Sequence, residues 1–143
     1  MTLERSGLLD QQRLELVEGE LISKMGKKRP HVNALTLVQG WLVQVFGLHF
    51  TPNPRAQDLR LVVEIADTSL NFDLTVKAAL YARAKVFEYW VLDVVGRRLL
   101  VHRNPRSGAY ADITVYDQHE SVSPLAAPHA SFRVADAFPG ARD

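Results

Sequence analysis

Residues Leu59 to Ala66 read LRLVVEIA, a short β-branched run with one acid, Glu64, near its end. That composition suits a strand buried on both faces at the centre of a sheet. The segment Asp73 to Lys85, DLTVKAALYARAK, follows with helical spacing of Leu74, Ala78 and Tyr81. Next comes EYWVLDV, Glu88 to Val94, a second strand. A strand–helix–strand passage from Leu59 to Val94 implies a right-handed crossover and a parallel strand pair. This passage sets the expected class: α/β, a central mixed β-sheet flanked by helices.

The rest of the chain fits around that unit. Arg13 to Ser23, RLELVEGELIS, gives two short strands or one bulged strand, with Gly19 at the bend. A basic loop, Lys24 to Pro30, leads into an amphipathic helix from His31 to Phe46, where Val32, Leu35, Val38, Leu42 and Val45 recur at three- and four-residue spacing. Gly47 stops that helix. Arg97 to Arg103 pairs with Glu88 to Val94 as a hairpin turning at Gly96, and NPRSG then turns the chain into a strand from Ala109 to Tyr116. A short helical turn is expected around Val134 to Phe138. With 143 residues, the expectation is one domain over 1–143, since domains cluster at roughly 100–150 residues.

Composition closes several routes. There is no cysteine, so disulfide scaffolds, thiolate zinc sites and cysteine nucleophiles are excluded. The 17 Lys+Arg against 16 Asp+Glu exclude a uniformly basic coat for nucleic acid, though not a local patch. No P-loop, dinucleotide fingerprint or nucleophile elbow occurs. The N-terminus is charged throughout and no apolar stretch is of membrane-spanning length, so a cytoplasmic protein without membrane contact is expected.

Glu64 is the residue that hydrophobic logic does not explain. A carboxylate in a buried strand is costly unless it is paired or binds a cation. Asp73, Lys77 and Tyr81 are four residues apart, so they stack along one helix face, and a helix packed beside the strand brings Lys77 near Glu64. Two readings stand side by side. Glu64 and Lys77 form a salt bridge with Asp73 as a helix N-cap, or Glu64 contributes to a hard-cation site assisted by Lys77. Lys24, Lys27, Lys28, Arg29 and His31 supply a basic loop suited to phosphate contacts, or simply a solvated one. Trp41, Tyr89 and Trp90 are expected in the core.

The run LVVEIADTSLNFDLTVKAALYARAKVFEYWVLDVVGRRLLVHRNP resembles the Uma-two family of endonuclease-like proteins, within the PD-(D/E)XK restriction-endonuclease-like superfamily. ELVEGELISKM, the helix opened by His31, and SVSPLAAP extend the likeness over nearly the whole chain. The resemblance implies a restriction-endonuclease-like fold and Mg²⁺- or Mn²⁺-dependent hydrolysis of DNA. It assigns Glu64 as metal ligand and, with Lys77 and Glu18, as catalytic. It gives Asp73, Tyr81 and His31, with Glu88, Tyr89 and Trp90, supporting places, and puts Lys24, Lys27, Lys28 and Arg29 on the DNA backbone. In the family a strand ending in Pro-Asp, with the other metal ligand, precedes the Glu64 strand. No Pro-Asp occurs here, and the connection near 47–58 is too short to hold that strand. The alternative is therefore a catalytically inactive nuclease-fold remnant that binds DNA or homodimerises, since a lost strand uncovers a sheet edge.

Overall fold

The computed structural model describes residues 13–17, 20–24, 29–47 and 59–138, with side chains placed from residue 34 onward. The elements run β1 (Arg13–Val17), β2 (Glu20–Lys24), α1 (Arg29–Phe46), β3 (Leu59–Ala66), α2 (residues 70–83), β4 (Glu88–Asp93), β5 (Arg98–Arg106), β6 (Ala109–Asp117), β7 (Ser121–Val122) and β8 (Phe132–Arg133), closing on a 3₁₀ turn, Val134–Ala137. Six strands form one sheet in the order β2-β1-β3-β4-β5-β6, and β7 pairs with β8 apart from it. Only β3 and β4 run parallel; every other pairing in the sheet is antiparallel. This is the α/β mixed sheet that the strand–helix–strand passage requires.

Side-chain alternation divides β3 cleanly. Leu61, Val63 and Ile65 join Trp90, Leu92, Leu99 and Val101 in a core with Ala34, Leu35, Val38 and Leu42 of α1. Val62 and Ala66 join Tyr89, Val91 and Leu100 in a second core with Ala78, Tyr81 and Ala82 of α2. The helices thus lie on opposite faces, which explains why β3 reads as nearly continuous apolar sequence. Trp41 stacks on Trp90 at 6.4 Å and meets Phe132 at 5.0 Å, so both tryptophans belong to the α1 core.

RLELVEGELIS takes the first of its two expected forms, two antiparallel strands, with a bulge against β3 at Leu16/Val17. Other local expectations need correction. α2 begins at Leu70 rather than Asp73, and its middle, Asp73–Lys77, is a π-helical turn. Asp73 is therefore inside the helix and is not an N-cap. NPRSG is not one turn. β5 continues to Arg106, Asn104 lies within it at φ +63° with no shift of register against β6, and Ser107 and Gly108, both with positive φ, make the turn. Two successive positive φ values are the type I′ pattern that matches strand twist. Pro105 is tolerated because β4 reaches only to Arg103, leaving that stretch of β5 paired with β6 alone. Gly47 ends α1 as expected, with φ +83° and its amide on the Val43 carbonyl at 2.8 Å.

Candidate active site

Glu64 lies on the α2 side of β3, two residues before the strand ends, and is fully buried. The π turn brings Asp73 and Lys77 over it. Lys77 Nζ donates to Glu64 Oε2 at 3.1 Å and lies 3.5 Å from Asp73 Oδ1, with all three side chains at 0% exposure. Tyr81, one turn further along α2, donates its hydroxyl to the same Glu64 oxygen at 3.2 Å. Ser69 Oγ donates to Asp73 Oδ2 at 2.9 Å, fixing the acid from the start of the helix. Four residues expected at the site, Glu64, Asp73, Lys77 and Tyr81, therefore do converge.

Tyr89 completes the floor. Its hydroxyl donates to the Asp73 carbonyl at 3.0 Å, where the α-helical hydrogen-bond ladder gives way to the π turn. Burial, then the charges of Glu64 and Asp73, push the Tyr89 phenol well above its ordinary pKa, so it remains a neutral donor. Its ring packs on Tyr81 at 4.9 Å and on His102 at 5.1 Å. His102 Nδ1 is 3.0 Å from the Tyr89 carbonyl, so that nitrogen carries the proton and donates. Burial lowers the His102 pKa, against the weaker opposing effect of its hydrogen bonds to the Tyr89 and Leu100 backbone.

Glu88 and Trp90 do not support this cluster. Both face the α1 side, where Glu88 Oε2 accepts from Trp90 Nε1 and Arg103 Nε, each at 2.8 Å, and Oε1 accepts from the Leu125 amide at 2.8 Å. Of the trio, Tyr89 alone reaches Glu64 and Asp73, because successive strand residues alternate faces.

Glu18, Lys27 and Lys28, like residues 48–58, lie outside the described residues. Lys24 is the last residue of β2, while Arg29 and His31 open α1, on the sheet face opposite Glu64. The structure therefore does not bring Arg29 and His31 to the Glu64 side. Ser69 and the π turn are the parts that sequence reasoning missed. Serine four residues before a buried aspartate carried a usable signal; the π turn carried none.

The cluster can hold charge. Its carboxylates flank one ammonium, so the position between them attracts a cation. Two carboxylates are also what Mg²⁺ commonly takes from a protein, with water and phosphate filling the remainder. The donor chemistry thus fits a hard divalent ion at Glu64 and Asp73, although among the described residues no group of three or more metal-ligating acids or histidines exists. No helix of the described residues is long and apolar enough to cross a membrane.

A family model described as “Putative restriction endonuclease”, Uma2, matches residues 47–135. The crystal structure of a “putative nuclease belonging to DUF820” from Anabaena variabilis superposes with a TM-score of 0.56, at 15% identity, covering 96% of this chain and 97% of that one. At that identity the likeness speaks for the fold alone. No curated protein matches.

Proposed function

The chain belongs to the Uma2 family, and on that premise we propose that it is a divalent-metal-dependent DNA endonuclease formed by one restriction-endonuclease-like domain, shortened near 47–58. The observation that supports this reading is the meeting of Glu64 and Lys77 at 3.1 Å, from the strand and helix of the matched segment. Glu64, with Asp73, would hold Mg²⁺ or Mn²⁺, and Glu18 is the further catalytic acid that the family likeness suggests. Glu64 and Asp73 would hold such a cation, which when bound would supply Lewis acidity toward a phosphate oxygen and a water. Lys77 anchors the Glu64 carboxylate and would offer an ammonium hydrogen to orient that water, while Tyr81 fixes Oε2. The water oxygen bonds to phosphorus, one phosphorus–oxygen ester bond breaks, and a water proton ends on the departing sugar oxygen, leaving a phosphate monoester and a free hydroxyl. Lys24, Lys27 and Lys28 hold the DNA backbone, without Arg29 and His31, which open the helix on the other face of the sheet.

A second reading, an inactive nuclease-fold remnant that binds DNA or homodimerises, is favoured by one observation. Glu64, Asp73 and Lys77 are fully buried, and no phosphate reaches them unless the cluster is uncovered. Among the described residues no strand pairs with the outer edge of β6, where Ile113 and Val115 are exposed, which supports the homodimer under either reading. A cytoplasmic setting belongs to the same proposal.

One assay separates the readings. Under the first, wild-type protein nicks supercoiled plasmid with Mg²⁺ or Mn²⁺, and Glu64→Gln and Lys77→Ala each abolish nicking while remaining folded. Nicking that persists in both variants overturns the site assignment. No nicking by wild type, with a dimeric mass by light scattering, selects the remnant; a monomeric mass at tens of micromolar removes the dimer from both.

A further inference from the structure

Lys77 meets Glu64, Arg98 meets Asp93, Arg97 meets Gln118 and Arg103 meets Glu88. Arg83, Lys85 and Arg106 are different. Each is exposed, and among the described residues no group accepts a hydrogen bond or ion pair from their side chains. The topology gathers these three at one end of the sheet. Arg103 pairs with Glu88, the first residue of β4, so Arg106 lies three residues beyond that start. α2 returns to the same end, where Arg83 covers the β5–β6 turn: its Cγ is 3.6 Å from the position of a Cβ on Gly108. Lys85 follows in the link from α2 to β4. No acid occurs from 78 to 87 or from 98 to 111, and Glu88 is turned to the α1 side among its own donors.

The backbone at Lys85 is a second, independent observation. Its amide donates to the Ala82 carbonyl at 3.0 Å and the Val86 amide to the Tyr81 carbonyl at 3.1 Å, the paired bonds of a Schellman helix end. The residue at that place takes φ +63°, a left-handed conformation that glycine adopts freely and lysine only at a cost. Strain of this kind, held at an exposed and unpaired cation, points to use of the ammonium. Two residues on, Phe87 is 62% exposed just before β4 begins. It lies four residues before Val91, the register partner of Glu64, hence about 13 Å along the strand from that row. Cations around a bare aromatic ring match a nucleic-acid strand whose phosphates and base faces are both accessible. A duplex hides its base faces, and a bilayer surface calls for a broad apolar face where this one has a single ring.

We propose that Arg83, Lys85 and Arg106 hold phosphates of a single-stranded nucleic acid, with Phe87 stacked on one of its bases. The surface stands apart from Glu64 and breaks no bond. It shares with the endonuclease reading only the class of partner.

The test is anisotropy of a fluorescein-labelled oligothymidine of 20 nucleotides between 50 and 200 mM salt, with a 20-base-pair duplex in parallel. Each phosphate contact on a single strand adds about 0.7 to the slope of log affinity against log salt. Arg83→Gln and Arg106→Gln should each lower the slope by about that amount. Lys85→Gly should do the same without lowering the urea midpoint, which a lysine kept only for the helix end would lower. Phe87→Ala should weaken oligothymidine binding at least about fivefold, the loss of one stacked base, and leave duplex binding unchanged. Unchanged slopes in all three cation variants, or no oligothymidine binding by wild type at 50 mM salt, overturn the surface. Equal losses on both probes in Phe87→Ala overturn the single-strand assignment. Wild-type binding to phosphatidylserine vesicles but not to oligothymidine overturns it in favour of a lipid surface. Plasmid nicking tests the endonuclease reading separately, so either can fail while the other stands.

Discussion

Replacing Lys77 by methionine removes the ammonium and keeps most of the side-chain volume. In the native cluster Nζ is 3.1 Å from Glu64 and 3.5 Å from Asp73, with no exposure on any of the three side chains. At an effective dielectric of 20, each contact is worth about 5 kcal/mol before desolvation. Returning the ammonium to water offsets several kcal/mol of that sum. What remains is a deficit of about 3–5 kcal/mol, the usual cost of leaving buried charge without its partner. Lys77→Met should therefore unfold at markedly lower urea, read by the fluorescence of Trp90, which is wholly buried. Glu64→Gln combined with Lys77→Met should recover much of the loss, since breaking a pair costs more than removing both charges. A single variant within about 1 kcal/mol of wild type would refute a cluster held by this charge balance.

Other perturbations probe the remaining buried polar groups. Glu88→Ala strips the Trp90 indole, the Leu125 amide and Arg103 of their acceptor, and Arg103 is itself partly solvated at 27% exposure. It should cost about 3 kcal/mol in urea unfolding and speed proteolysis between residues 118 and 138. His102 has a folded pKa below its unfolded value of roughly 6.5, so the unfolded chain binds the extra proton first. Its contribution is full above pH 6.5 and declines as pH falls from there toward the lowered folded value. Thermal melts of His102→Gln should accordingly show a flatter fall between pH 7 and pH 5 than wild type.

Where the chain's physics is local, the sequence revealed it. β3 occupies the eight residues of the LRLVVEIA run, and Gly47 stops α1 where its φ of +83° requires. Where a tertiary partner decides, the sequence was silent. Asp73 resembled a helix start because aspartate favours N-caps, but Ser69 and Lys77 engage its carboxylate and Tyr89 engages its carbonyl, allowing α2 to begin three residues earlier. The spacing of 73, 77 and 81 looks alike for an α or a π turn, so the widened turn left no trace in periodicity. Pro105 suggested a break, and only the shorter reach of β4 shows why a strand can carry it.

Glu64 and Glu88 show why a buried acid alone does not mark a site. Glu64 interrupts one apolar strand and Glu88 opens another, each is fully buried, and both sit in the segment that the family model matches. Glu88 is answered by an indole N–H, a backbone amide and a guanidinium that also holds the Ser123 carbonyl at 2.6 Å, so its charge ties the chain after β6 back onto the sheet. Every one of those donors serves the fold. Glu64 is answered by an ammonium that it shares with a second acid, on a helix turn widened where that acid sits, and Arg13 stands across from it in register. The donors to Glu88 tie three separate segments together, whereas the Glu64 donors Lys77 and Tyr81 come from one face of a single helix, beside the carboxyl ends of the parallel strands where open α/β sheets place their ligands.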